Sequence, residues 1–214
     1  MPIWSFRALT AAITVVATVS AVQADDNRLF ITQDSSIGGA GGNTLFVDQS
    51  LATNSTISGA LDSDTPAQQI GGGNTAQVNI ANTDGRVALN QITTDGGTTG
   101  NNANVNLSGL LATGVLTQVG IDNDGRLNVS GDGASGFLEQ RGDGNTGFVE
   151  VTGARAVGRL LQNGNNNSTG LSVTGAGADV TLTQNGNNII TAPSVVPSVT
   201  TNGGRLTINQ TFSN

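Results

Sequence analysis

The chain has 214 residues, with 8 basic against 15 acidic side chains and neither histidine nor cysteine. Every basic residue is arginine, and the acidic balance without a basic patch argues against a nucleic-acid partner; the absence of cysteine leaves no disulfide for an exported fold, and the absence of histidine removes the commonest general base and the commonest metal ligand. Thirty-one glycines beside six phenylalanines and one tryptophan exclude a large aromatic core.

The first element is a leader. Arg7 supplies a positive start, Ala8 to Val19 is apolar or small, and Val22-Gln23-Ala24 is a small-residue cleavage site. Residues 1–24 are expected to be a secretory signal, with the mature chain beginning near Asp25. The apolar run is too short, and too soon followed by Asp25-Asp26, for a spanning helix, so no membrane insertion is expected after cleavage. Without Arg7 the chain carries 7 basic and 15 acidic residues, a net −8 that keeps monomers soluble and apart.

Beyond the leader a glutamine recurs at Gln69, Gln91, Gln118, Gln140, Gln162 and Gln184, in steps of 22, 27, 22, 22 and 22 residues. Most of these open the phrase Gln-x-Gly-x-x-Asn, as Gln69 to Asn74, Gln118 to Asn123, Gln140 to Asn145 and Gln162 to Asn167. Self-similarity at a fixed period of this length marks a repeat architecture, here with units beginning near residues 29, 67, 87, 114, 136, 158 and 180. A strict period also argues against disorder, because a disordered tract needs no register.

Within each unit the residues alternate. Two before the glutamine stands Ala67, Leu89, Leu116, Leu138, Leu160 or Leu182; after it the apolar set resumes, as in Ala76-x-Val78-x-Ile80 and Gly147-x-Val149-x-Val151. Polar residues fill the gaps, which is the pattern of a half-buried strand. Gly/Asn/Asp clusters such as Gly142-Asp-Gly-Asn145 supply the turns between strands. A single hairpin of this size cannot bury its apolar face, but units stacked in register can.

Three regions depart from the 22-residue period. Five extra residues after Gln33 and after Gln91 bring Asn43 and Asn101 onto the expected asparagine position, and a loop from about Ser50 to Thr65 leads into the second unit. Such insertions are expected in turns. The segment Ile189 to Thr201, with Pro193 and Pro197, reads as a loop. Arg205-Leu-Thr-Ile-Asn-Gln210 fits the second strand of the seventh unit, and equally the opening of an eighth, through its likeness to Arg28-Leu-Phe-Ile-Thr-Gln33.

An inward amide is costly alone but can bond to its copy in the next unit, forming a ladder along the stack. The ladder positions are Gln33, Asn43, Gln49, Gln69, Asn74, Gln91, Asn101, Gln118, Asn123, Gln140, Asn145, Gln162, Asn167, Gln184 and Gln210. Asp122, Asp124, Asp132 and Asp143 in the turns admit two readings: ordinary turn formers, or charged tracks that oppose assembly when stacked.

The phrase Gln69-Ile-Gly-Gly-Gly-Asn74-Thr-Ala76 resembles the curlin repeat, Gln-x-Gly-x-x-Asn-x-Ala with a second glutamine at plus eleven, and the resemblance runs from about Leu29 to Gln210. It implies a secreted subunit of curli, the extracellular amyloid fibres of bacterial surfaces and biofilms. The implied partners are further copies of the chain added head to tail, a nucleator subunit, and an outer-membrane secretion machinery. The chain departs from the pattern in keeping the second glutamine only as Gln49 and Gln210, with Ile80, Leu107, Val129, Val151 and Val173 elsewhere, and in keeping the alanine only as Ala76 and Ala103.

The rival reading is a monomeric, capped β-solenoid that binds ice or carbohydrate, its cap the loop with Pro193 and Pro197. A calcium roll would repeat Gly-Gly-x-Gly-x-Asp every nine residues; one Asp122-Asn-Asp124-Gly125 does not make one. No catalytic residue, cofactor or metal is expected, since Glu139 and Glu150 sit at outward positions of one unit. The expected fold is all-β: a β-solenoid of about seven strand-turn-strand rungs, roughly 30 Å tall.

Overall fold

A computed structural model describes residues 14–18, 26–35, 41–61, 64–94, 99–191 and 197–212. The rest of the expected leader, residues 36–40 and 95–98 of the two expected insertions, and Pro193 lie outside the described residues.

The chain is an all-β solenoid. β1 (Thr14–Thr18) precedes the repeats. The first rung comprises β2 (Arg28–Leu29), β3 (Ile31–Asp34) and β4 (Thr44–Asp48), and the second β5 (Thr56–Ser58), β6 (Ala67–Ile70) and β7 (Thr75–Ile80). Four regular rungs follow: β8 (Arg86–Ile92) with β9 (Asn102–Leu107), β10 (Thr113–Val119) with β11 (Asp124–Val129), β12 (Ser135–Arg141) with β13 (Thr146–Val151), and β14 (Val157–Asn163) with β15 (Ser168–Val173). β16 (Asp179–Asn185) and β17 (Ser198–Val199) make the seventh, and β18 (Arg205–Thr211) stands alone beyond it.

Strands that precede the Gln turn form one parallel sheet, the Gln sheet, ordered from β2 and β3 through β5 and β6, β8, β10, β12, β14 and β16 to β18. Strands that follow the turn form the facing sheet, ordered β1-β4-β7-β9-β11-β13-β15-β17. Registers advance by one repeat per strand, so Leu89, Leu116, Leu138, Leu160 and Leu182 lie one above the next. They pack against Val105, Leu127, Val149 and Leu171 of the facing sheet in a single continuous core. These side chains are fully buried. The period-two pattern of each strand is thus satisfied only by stacking, because neither face of an isolated rung is covered along the axis.

Two features differ from the sequence expectation. The second rung begins at Thr56, inside the segment expected to be a loop: β5 pairs with β2 on one side and β8 on the other. The chain then leaves the Gln sheet after Ser58 and rejoins it at Ala67, since Ser58 stands opposite Ala88 while Gln68 stands opposite Asn90. The excursion is tolerated because it closes on itself: the Gly59 N–H donates to the Thr65 carbonyl, and Asn90 Nδ2 donates to the Gly59 carbonyl. Insertions are therefore not confined to turns.

β18 settles the choice left open for Arg205–Gln210. It pairs along its whole length with β16, Gln210 opposite Gln184, and so opens an eighth level of the Gln sheet. The seventh rung takes Ser198–Val199 as its second strand, paired with Ser172–Val173. At the other end β1, which falls within the expected leader, adds parallel to β4 with Thr14 opposite Thr44.

Candidate functional site

The Gln column is continuous and has a direction. Each Nε2 donates to the Oε1 of the next rung: Gln33 to Gln69, Gln69 to Gln91 (2.7 Å), Gln91 to Gln118 (2.9 Å), Gln118 to Gln140 (2.9 Å), Gln140 to Gln162 (2.9 Å), Gln162 to Gln184 (2.8 Å) and Gln184 to Gln210 (2.9 Å). Gln69 to Gln184 are buried to 1% exposure or less, whereas Gln33 and Gln210 at the ends are half-buried.

The glutamines from Gln69 to Gln162 also tie the two sheets together. Gln118 Nε2 donates to the carbonyls of Asn102 and Asn123, and Gln140 Nε2 to those of Asp124 and Asn145. One amide thus serves its own rung, the rung below and the rung above. This cross-turn role was not visible in the sequence, which shows the period but not which backbone carbonyls the turn presents.

The Asn column runs the other way. Asn74, Asn101, Asn123, Asn145 and Asn167 each donate their backbone N–H to the Oδ1 of the asparagine one rung earlier, starting at Asn43. Asn101, Asn123 and Asn145 add an Nδ2 bond in the same direction. The ladder closes at Ile189, whose N–H donates to Asn167 Oδ1. All these asparagines are buried. Two oppositely directed rows of amide dipoles side by side offset each other's field along the axis.

Gln49 is the exception among the expected ladder residues. Asp48 stands opposite Asn79, which places Gln49 on the column of Ile80, Leu107, Val129, Val151 and Val173. With apolar neighbours above, it has no amide to bond to, and its Nε2 turns to the Ser55 carbonyl instead. Beside it the Ser50 hydroxyl, and then the Ser50 N–H, hold the Asp48 carboxyl below the usual carboxylate range.

The turn aspartates are inter-rung staples. Asp132 Oδ1 accepts the Leu110 N–H, Asp143 Oδ1 accepts the Ile121 N–H, and Asp124 Oδ1 accepts from Asn102 Nδ2. Asn165 and Asn187 repeat the arrangement, accepting the N–H of Asp143 and Asn165. Within the molecule the neighbours of Asp143 along this track are Ile121 and Asn165, and those of Asp124 are Asn102 and Thr146, so no like-charged track forms. Asp122 holds a positive φ of 57° in a tight turn. Two outward contacts add to these: the Arg126 guanidinium lies 4.9 Å from the centre of the Phe148 ring, and Arg159 lies 5.2 Å from that of Phe137, each on the adjacent strand. Among the described residues no group of three or more acidic side chains converges to hold a metal ion.

The ends of the stack differ from its middle. Gln33 Oε1 is buried and has no hydrogen-bond partner among the described residues. At the far end Leu206 is 41% and Phe212 57% exposed, and Ile208 is only partly buried. Ser35 Oγ at the head and Asn82 Oδ1 in the turn after β7 are likewise buried without a partner among the described residues. Along the Gln and Asn columns, however, the middle of the stack is saturated and the ends are incomplete rungs.

No protein-family model, curated protein or solved structure matches the chain.

Proposed function

We propose that the chain is a secreted structural subunit that polymerises head to tail into an extracellular, curli-like amyloid fibre serving adhesion and biofilm. The observation that carries this reading is the buried, unpartnered acceptor at Gln33 Oε1, the open head of an otherwise unbroken ladder. A buried acceptor without a donor costs about 1–3 kcal/mol, and a neighbouring copy that supplies an amide N–H recovers it. The ladder has one direction, donor toward the C-terminal end, so only a heterologous contact joins donor to acceptor; a contact of that kind that does not close makes a filament. The outer edges of β2 and β18, the first and last strands of the Gln sheet, favour the same geometry. By the resemblance to curlins, a nucleator and an outer-membrane secretion channel would be the further partners.

Quiescent incubation of the purified chain at neutral pH, followed by electron microscopy and fibre diffraction, tests the proposal. Unbranched fibres with a meridional reflection near about 4.8 Å are expected. A β-rich chain that stays monomeric over days overturns the proposal and leaves the capped, ligand-binding solenoid.

The ends also make a graded prediction. Gln33→Ala is expected to slow polymerisation more than Gln118→Ala, because Gln33 carries the open acceptor at the head while Gln118 is saturated within the molecule. Equal effects in a fibrillation time course would contradict the head-to-tail assignment.

A further inference from the structure

The two ends are offset. At the tail the Gln sheet runs one strand past the facing sheet: β18 sits on β16, while nothing among the described residues sits on β17. A second copy that simply adds its β2 and β3 to the outer edge of β18 brings its β4 two strand positions above β17. Such a joint leaves one strand position of the facing sheet empty, with apolar core exposed beneath it.

The sequence of β18 removes the difficulty. Arg205-Leu-Thr-Ile-Asn-Gln210 repeats the head strand, Arg28-Leu-Phe-Ile-Thr-Gln33, at the arginine, both inward apolar positions and the glutamine. In its present register Arg205 reaches Asp179 at 3.0 Å, Leu206 lies opposite Val180, Ile208 opposite Leu182 and Gln210 opposite Gln184. Arg28, Leu29, Ile31 and Gln33 of a second copy meet the same four partners in the same order. Resting on the fibre reading, we infer that β18 is an internal stand-in for the head strand of the next copy, and that elongation proceeds by its displacement from β16. The incoming β4 then pairs directly with β17, both sheets continue without a gap, and Gln184 Nε2 passes from Gln210 Oε1 to the unpartnered Oε1 of the incoming Gln33.

The stand-in is weaker than what replaces it. Among the described residues β18 has a neighbour on one side only and no strand of the facing sheet at its own level, and most of its residues are exposed. The incoming strand arrives with a whole solenoid behind it. β1 at the head is placed in the same way: it occupies the edge of β4 that β17 of another copy would take, and cleavage near Asp25 would clear it. Each end of the stack is therefore covered by one provisional strand. Covered edges restrain premature pairing.

Locking β18 tests the inference. Thr183 and Asn209 are register partners on β16 and β18 and, by strand alternation, lie on the outward side of the Leu182/Ile208 pair. The chain has no cysteine, so Thr183→Cys/Asn209→Cys in the chain that begins at Asp25, from which β1 is absent, offers a single disulfide. Elongation on preformed seeds is measured for the oxidised and the reduced double variant, with circular dichroism confirming the same β content in both. Displacement requires the oxidised form to elongate about tenfold or more slowly, since the competent state is no longer populated, and the reduced form to elongate as the unsubstituted chain does. Equal or faster elongation of the oxidised form overturns the inference, because β18 is then the docking edge itself. Ile208→Asp, which weakens the strand without a crosslink, is expected to speed elongation under displacement and to slow it if β18 is the docking edge. Should the unsubstituted chain form no fibres, the fibre reading fails and the inference with it.

Discussion

Gly142→Ala is expected to destabilise the solenoid by about 3 kcal/mol or more, among the largest costs of any single methyl group in this chain. Gly142 has φ +105°, and a Cβ there would stand 2.3 Å from the Gly164 carbonyl oxygen and 2.6 Å from Asn165 Oδ1. The obstacle is backbone of the next rung, which is held at the rung spacing by both sheets and cannot retreat. The same column holds Gly120, Gly164 and Gly186, all with φ above +110° and each facing a carbonyl at 2.0–2.3 Å. Gly133→Ala is the control. It too has a positive φ, +64°, but its added Cβ meets nothing nearer than Arg155 Cγ at 3.5 Å. Leu111 and Arg155 occupy corresponding turn positions with φ 56° and 55°, so side chains already fit there. Gly133→Ala should cost about 1 kcal/mol or less. Thermal and denaturant unfolding of the two variants separates backbone crowding from φ strain; equal losses would mean that the rungs can spread.

The same column explains how much of the turn was legible. Where the turn is short the first residue after the strand must be glycine, and Gly71, Gly120, Gly142, Gly164 and Gly186 are the visible punctuation. Where five residues are inserted, Ser35 and Thr93 take its place, and Thr93 is buried with its hydroxyl donating to Asn74 Oδ1. The glycine rule and the insertions are therefore one fact seen twice. Rung order, parallel register and the inward Gln and Asn columns were all readable, because a period of 22 forces equivalent residues into equivalent places.

What escaped the sequence reading lies where equivalence breaks. The strand Thr56–Ser58 carries only three residues of pattern before the chain leaves the sheet, too few for periodicity to show. Gln49 carries the right residue type in a column where its neighbours changed, and an amide ladder is a property of neighbours, not of one residue. The turn aspartates looked like charge, but Asp132 and Asp143 accept backbone N–H groups one rung away and Asp124 accepts the Asn102 amide, partners set by the turn geometry. Arg205–Gln210 resembles the head strand so closely that sequence alone cannot tell a rung's end from a rung's beginning; pairing with β16 decides it.

Gln118→Leu is the second large effect, expected at about 3 kcal/mol by equilibrium unfolding of dilute monomer. The substitution removes four bonds. Gln91 Nε2 loses one acceptor but keeps the Thr75 and Asn101 carbonyls. Gln140 Oε1, which is buried, loses its donor, and the Asn102 and Asn123 carbonyls each lose the glutamine's bond, although the Asn123 carbonyl keeps the Asn102 N–H. The orphaned acceptor at Gln140 is the heaviest single cost, because nothing apolar placed beside it can donate. Adding Gln140→Leu does not double that cost: the orphan moves to Gln162 Oε1, one break remains one break, and only the carbonyl bonds of the second glutamine are newly lost. The double variant should therefore fall short of the sum of the singles by about 1–2 kcal/mol, a coupling that strict additivity would exclude. The orphan made at Gln140 by this substitution is the one that Gln33 carries natively at the head of the stack. The coupling measured inside one molecule is thus an estimate of what the ladder contributes to joining two, and a coupling near zero would leave the joint to backbone pairing and apolar burial alone.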